Sequence, residues 1–236
     1  MNPARFFLLI SNMNSVMAWG VIILSLFIVV TAADAVILFV KNSTIKALDA
    51  AGVVLAFCVA VYTGVLLGDA SIAFPLWHPL VLPVLFAASA ASTGFAAVLL
   101  ISHFIAKGEQ DNLPFLRKTE LILPASEALL IIALLGAAII TTGSGAAAAK
   151  ASVSALLTGD FAITFWVGLV IVGLAVPATL DLMHMKKLAN NPATADGNVK
   201  TTTASALPTI ANACVLIGGF FLRYLIIMAA VPLPFG

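Results

Sequence analysis

An all-α, polytopic transmembrane helix bundle of about six spans is what this 236-residue chain predicts. Hydrophobic residues make up 62% of it and charged residues 9%, where an ordinary soluble domain is roughly a quarter charged, so polar surface is too scarce to coat a globule. The apolar residues also fall in successive runs of about 20, the length a helix needs to cross the hydrocarbon core. Short polar stretches separate the runs, which predicts one bundle over residues 1–236 rather than several domains.

The first span is expected at 17–40, opening near the interfacial Trp19 and stopping at the charged, turn-forming Lys41, Asn42 and Ser43. Arg5 and the short apolar patch after it do not make a signal peptide, because the run that follows is too long for a signal-peptide core. The second span, 47–68, ends at Asp69. A loop with Pro75, Trp77, His78 and Pro79 leads into the third, 79–105, whose Pro83 predicts an irregular entry. A polar stretch at 107–119 precedes the fourth span, 120–142. Gly143, Ser144, Gly145 and an alanine run then form a partly helical connection to the fifth, 154–183. The sixth span covers 205–230.

Lys and Arg in loops are retained in the cytoplasm during insertion, so their distribution orients the bundle. One side would hold Lys41, Lys46, Lys107, Arg117, Lys118, Lys186, Lys187 and Lys200, and the other only Arg5 and Lys150. The asymmetry predicts a multi-pass protein of the bacterial inner membrane with both termini in the periplasm. The net charge of +1 offers nucleic acid no overall attraction, and membrane lipid is the expected surroundings.

An ionisable group at membrane depth costs several kcal/mol unless paired or hydrated, so each is a functional candidate. Toward the outer face lie Tyr62, Asp69, Trp77, His78, Asp160 and Arg223, which together resemble a polar pocket; toward the inner half lie Asp34, His103, Glu127, Asp181 and His184. Trp77 and Asp69 also suit a plain interfacial belt. Arg223 sits too deep for easy snorkelling and calls for an ion pair, with Asp160 as one partner, or a ligand. Glu127 and Asp34 are candidate proton-path acids, with hydration from the inner face as the simpler role. Small residues, Gly64 with Gly68, the run from Ala88 to Gly94, and Gly218 with Gly219, suit close helix approach.

Cys58 and Cys214 both lie in apolar runs and no CxxC occurs, which argues against an iron–sulfur cluster, c-type haem or zinc in this chain. His78 and His103 on one span are about 37 Å apart at 1.5 Å per residue and cannot share a haem iron. His103 with His184 stays open, beside the simpler reading of solvated loop histidines.

At the second and third spans the sequence becomes specific. Tyr62-Thr63-Gly64-Val65-Leu66-Leu67, then Pro75-Leu76-Trp77-His78, Pro83-Val84-Leu85-Phe86 and Ser89-Ala90-Ala91-Ser92-Thr93-Gly94, resemble the NrfD/polysulfide reductase membrane-subunit family. Asn2-Pro3-Ala4-Arg5-Phe6 with Asn14 to Gly20 is similar to the segment leading into that family's third helix, and Gly218-Gly219 with Leu222-Arg223 to its last. The resemblance runs over nearly the whole chain. It implies a quinone-reactive membrane anchor without metal or haem of its own, menaquinone or ubiquinone being the substrate. It also implies a peripheral iron–sulfur subunit and a molybdopterin catalytic subunit as partners. The family's pocket lies near the periplasmic face and is touched by the tyrosine of a Tyr-x-Gly motif, which is Tyr62 here. A phenol can donate to or accept from a quinone oxygen. Family members usually have at least eight helices, so the first hairpin is expected to be missing from this chain, and its polar groups with it.

The expected function is therefore that of a non-autonomous subunit passing electrons between the quinone pool and a peripheral iron–sulfur subunit. Tyr62, His78, Asp160 and Arg223 are the expected quinone-facing residues, and Glu127 and Asp34 the expected proton path. A small-solute or proton transporter would also use buried acids, although no repeat relates the first three spans to the second three. A purely structural anchor is the third possibility.

Overall fold

The computed structural model describes residues 15–105, 114–190 and 206–233; within these, the side chains at 103–105, 114–118, 120–121, 184–190 and 206–207 are not described. Among the described residues six helices are long and apolar enough to cross a membrane: Val16–Lys41, Lys46–Ile72, Val81–Ser102, Ile122–Ile140, Thr164–Met183 and Pro208–Met228. The protein is thus a multi-pass membrane protein. Large apolar side chains such as Phe39, Phe57, Ile132 and Phe220 stand exposed on these helices, where lipid would cover them.

Local chemistry sets each boundary. Helix α1, Val16–Lys41, stops where Asn42 turns left-handed (φ 49°) and its N–H bonds the Leu38 carbonyl, with Lys41 in the last turn facing the negative end of the helix dipole. Helix α2, Lys46–Asp69, tightens into a 3-10 turn at Ala70–Ile72. Helix α3 spans Val81–Ile105 and carries Pro83 in its first turn, where a missing N–H is harmless. Helix α4, Pro114–Ile140, likewise starts on a proline, but Pro124 stands inside it and deprives a carbonyl one turn earlier of its donor.

The span expected at 154–183 is divided. Gly143 (φ 89°) lies in the connection after α4, the alanine run forms a separate short helix α5, Ala146–Leu157, and a turn at 158–161 separates it from the membrane-crossing helix. That helix begins with a π-wound segment, Thr164–Ala175, and continues as α6, Val176–Asn190. The winding has a local reason. Pro177, fully buried just after the junction, has no N–H for the carbonyl four residues back, and i→i+5 winding passes over it, as the Val176 N–H to Ile171 carbonyl bond illustrates. Helix α7, Ala206–Met228, is the last.

The chain divides into two compact units, Met1–Ser71 with Pro79–Ala87, and Ile72–His78 with Ala88–Gly236. In the first, α1 packs on α2. A Cβ at Gly64 would overlap the backbone of Leu82 and Pro83, and one at Gly68 the backbone of Pro79, so these two glycines let the start of α3 lie directly against α2. In the second unit α7 packs against the π segment and α6, and α4 against α5 and α6. Gly173 and Gly218 meet backbone to backbone, and Gly219 lies flush against Thr93 of α3. Without water to squeeze helices together, this close approach is the main source of attraction between them. At Gly94, within the run expected to suit close approach, an added Cβ would meet nothing within 4 Å among the described residues.

Candidate functional site

Tyr62 lies two turns before the end of α2, and its half-buried ring covers Gly20 of α1 so closely that any Cβ at position 20 would collide with it. Two residues further on, Gly64 admits the backbone of α3. The Tyr-x-Gly spacing therefore does two things on neighbouring faces of α2: it seats a phenol on α1 and brings the proline-bearing entry of α3 alongside. Asp34, on α1 in the same unit, is half-buried, and its Oδ1 has no hydrogen-bond partner among the described residues.

In the second unit the 72–78 loop is held by specific contacts. Trp77 is buried; its Nε1–H donates to the Ile226 carbonyl of α7 at 2.9 Å, and its ring packs on Phe74 at 4.4 Å between centroids. Pro75 rests on Gly145, the Leu233 N–H donates to the Ala73 carbonyl at 2.9 Å, and the Val231 N–H donates to the Ser152 hydroxyl at 2.8 Å. Trp77 thus pegs the loop to α7 rather than presenting its indole to the surface. His78 follows it, half-buried, with its backbone N–H on the Leu76 carbonyl at 3.0 Å. Asp160 is exposed in the turn after α5.

The most buried acid is Glu127 of α4, 6% exposed. Ser89 and Ser92, three residues apart on one face of α3, present their hydroxyls to its carboxylate, and the charge of Arg223 on α7 acts on it. Ser89 and Ser92 are themselves 1% and 3% exposed, and their Oγ atoms, like Glu127 Oε1, close no hydrogen bond of good geometry among the described residues. Arg223 donates from Nη1 to the Gly219 carbonyl at 3.1 Å. Arg223 thus acts on Glu127, while Asp160, the other acid weighed as its partner, stands exposed in the turn after α5.

The serines are what the sequence reading missed as functional residues: they stood within a recognised string but were given no role. A hydroxyl pair at i, i+3 inside an apolar span was the available signal. Among the described residues no three of His, Cys, Asp and Glu converge as a metal-ligand set. The side chains of His103 and His184, the pair left open for haem, lie outside the described residues, as do Arg5, Lys107 and Lys200.

Comparison with known proteins agrees over the same stretch. The family model described as polysulphide reductase, NrfD, matches residues 2–233. A polysulfide reductase subunit of Wolinella succinogenes is 36% identical over 145 residues, covering 61% of this protein and 44% of the relative. The NrfD homolog of Haemophilus influenzae is 26% identical over 216 residues, covering 80% of this protein and 66% of the relative. The matched stretches thus span about half to two-thirds of the length of these relatives. No solved structure matches.

Proposed function

The chain belongs to the NrfD polysulphide reductase family, and from that premise we propose that it is the membrane-anchor, quinone-interacting subunit of a multisubunit oxidoreductase of the polysulfide reductase type. In this reading it passes electrons between the quinone pool and a peripheral iron–sulfur subunit, with a molybdopterin catalytic subunit completing the assembly. The Lys and Arg distribution supports placing it in the inner membrane with both termini periplasmic.

The observation that carries the reading is Tyr62: a phenol in a Tyr-x-Gly segment, two turns from the end of its helix, held by its ring against Gly20. Packing from Gly20 restricts the ring, so the hydroxyl is offered in a narrow range of directions. A hydroxyl so restricted can orient a quinone oxygen and accept or return its proton. His78 and Asp160 are proposed as further polar groups toward the headgroup. Arg223, turned to Glu127, is proposed to serve the proton side instead, with Glu127 and Asp34 as the proton-carrying acids.

The same packing favours one alternative, that Tyr62 acts only as a wedge between α1 and α2 in a purely structural anchor. Tyr62→Phe separates the two, since it keeps the ring on Gly20 and removes only the hydroxyl. We expect quinone-dependent turnover of the purified complex to fall on the order of 10²-fold, the range of a lost proton-transfer group. Unchanged turnover would remove Tyr62 from the site and favour the wedge.

A further inference from the structure

Within the second unit, α3, α4, α6 and α7 leave a small cavity lined by Ser92, Asp181 and Asn212, with Phe95 and Pro124 among its apolar walls. The space it offers to the centre of a water molecule is about 10 Å³, close to what a single water requires. Asp181 is 9% exposed, Asn212 7% and Ser92 3%, all inside apolar spans. A carboxylate and a carboxamide at that depth cost several kcal/mol unless something hydrates or pairs them. A hydroxyl, a carboxylate and a carboxamide from three different helices supply the two to four polar partners that a buried water needs. The Ser92 hydroxyl, buried and with no protein partner of good geometry, belongs at once to this cavity and to the surroundings of Glu127. Pro124, which lacks an N–H, forms the cavity wall on the Glu127 helix, three residues before the acid.

We propose that the cavity holds a water bound by Ser92, Asp181 and Asn212, and that protons exchange through it between Asp181 and Glu127. Asp181 stands two residues from the end of its span and Asn212 four residues from the start of its own. Glu127 stands deeper, with Arg223 beyond it. The step balances simply. Asp181 releases a proton to the water, which passes one of its own through the Ser92 hydroxyl to the Glu127 carboxylate; only O–H bonds break and form, and the water is restored. The inference rests on reading Glu127 as a proton-carrying acid, but not on quinone binding at Tyr62.

Two measurements on the protein reconstituted in lipid vesicles test it. In radiolytic labelling with heavy-oxygen water, Phe95 should be oxidised several-fold more than the lipid-facing Ile132, and Asn212→Leu, which fills the cavity, should abolish the difference. In deuterium oxide, the infrared band of the Glu127 carboxyl, identified by its loss in Glu127→Gln, should exchange several-fold more slowly in Asp181→Asn, a variant that preserves shape and leaves Phe95 labelled. Equal labelling of Phe95 and Ile132, or unchanged exchange in Asp181→Asn, would overturn the proposal. So would loss of Phe95 labelling on adding sodium, which would mark a cation in place of water. Neither readout needs quinone or a partner subunit, so their failure and that of the Tyr62 reading are separately visible.

Discussion

Arg223 illustrates how far a single residue's role depends on its neighbours. A guanidinium inside an apolar helix needs a counter-charge, and the choice between Asp160 and Glu127 is open when only the chain order is known. In the folded unit the charge of Arg223 acts on Glu127, and the Gly219 carbonyl accepts one of its N–H groups. A double-mutant cycle reads this directly. Glu127→Gln combined with Arg223→Met should show a coupling of about 0.5–3 kcal/mol in thermal or denaturant stability, the range for interacting neighbours, while Asp160→Asn with Arg223→Met should show a coupling of about zero. The reverse pattern would return Arg223 to the outer pocket. Trp77 shows the same dependence in the other direction: its indole looks interfacial along the chain, yet its N–H is spent on the Ile226 carbonyl.

For the elements, small residues decide which helices touch. Gly173 and Gly218 bring the π segment and α7 to backbone contact, so Gly218→Leu must push the two apart; we expect a loss of about 1–3 kcal/mol, the usual cost of overpacking a filled contact. Gly94, where an added Cβ would meet nothing within 4 Å among the described residues, is the control. Gly94→Ala should leave stability unchanged or raise it by about 0.5–1 kcal/mol, because alanine is the better helix former. A protein indifferent to Gly218→Leu would show that this contact does not hold α7. Both glycines occupy apolar runs and both belong to small-residue patterns expected to suit close helix approach, so the sequence does not tell them apart. The division of the fifth span was half legible: the alanine run read as partly helical, but the π winding before Pro177 did not, because it follows from backbone donors that hydropathy does not register.

At the scale of the whole molecule, six apolar spans are legible in the chain alone, and so is the charge asymmetry from which their orientation is proposed. Single cysteines at Ser43 and Ser144, in a background lacking Cys58 and Cys214, should react with a membrane-impermeant thiol reagent from opposite sides, Ser144 from the periplasm. Labelling of Ser43 from outside would invert the topology and with it the proposed docking side for a peripheral subunit. Sequence by itself determined that this protein is a bundle of apolar helices, because transfer to lipid is decided residue by residue over a window of about 20, while the resemblance carried by its motifs pointed to the NrfD family and to Tyr62. It could not decide which polar groups meet: that Ser89 and Ser92 face Glu127, that Asp181 and Asn212 border a common cavity, or that Tyr62 rests on Gly20. Those pairings depend on the rotation and close approach of helices far apart in the chain, which small-residue contacts fix only once the helices are side by side.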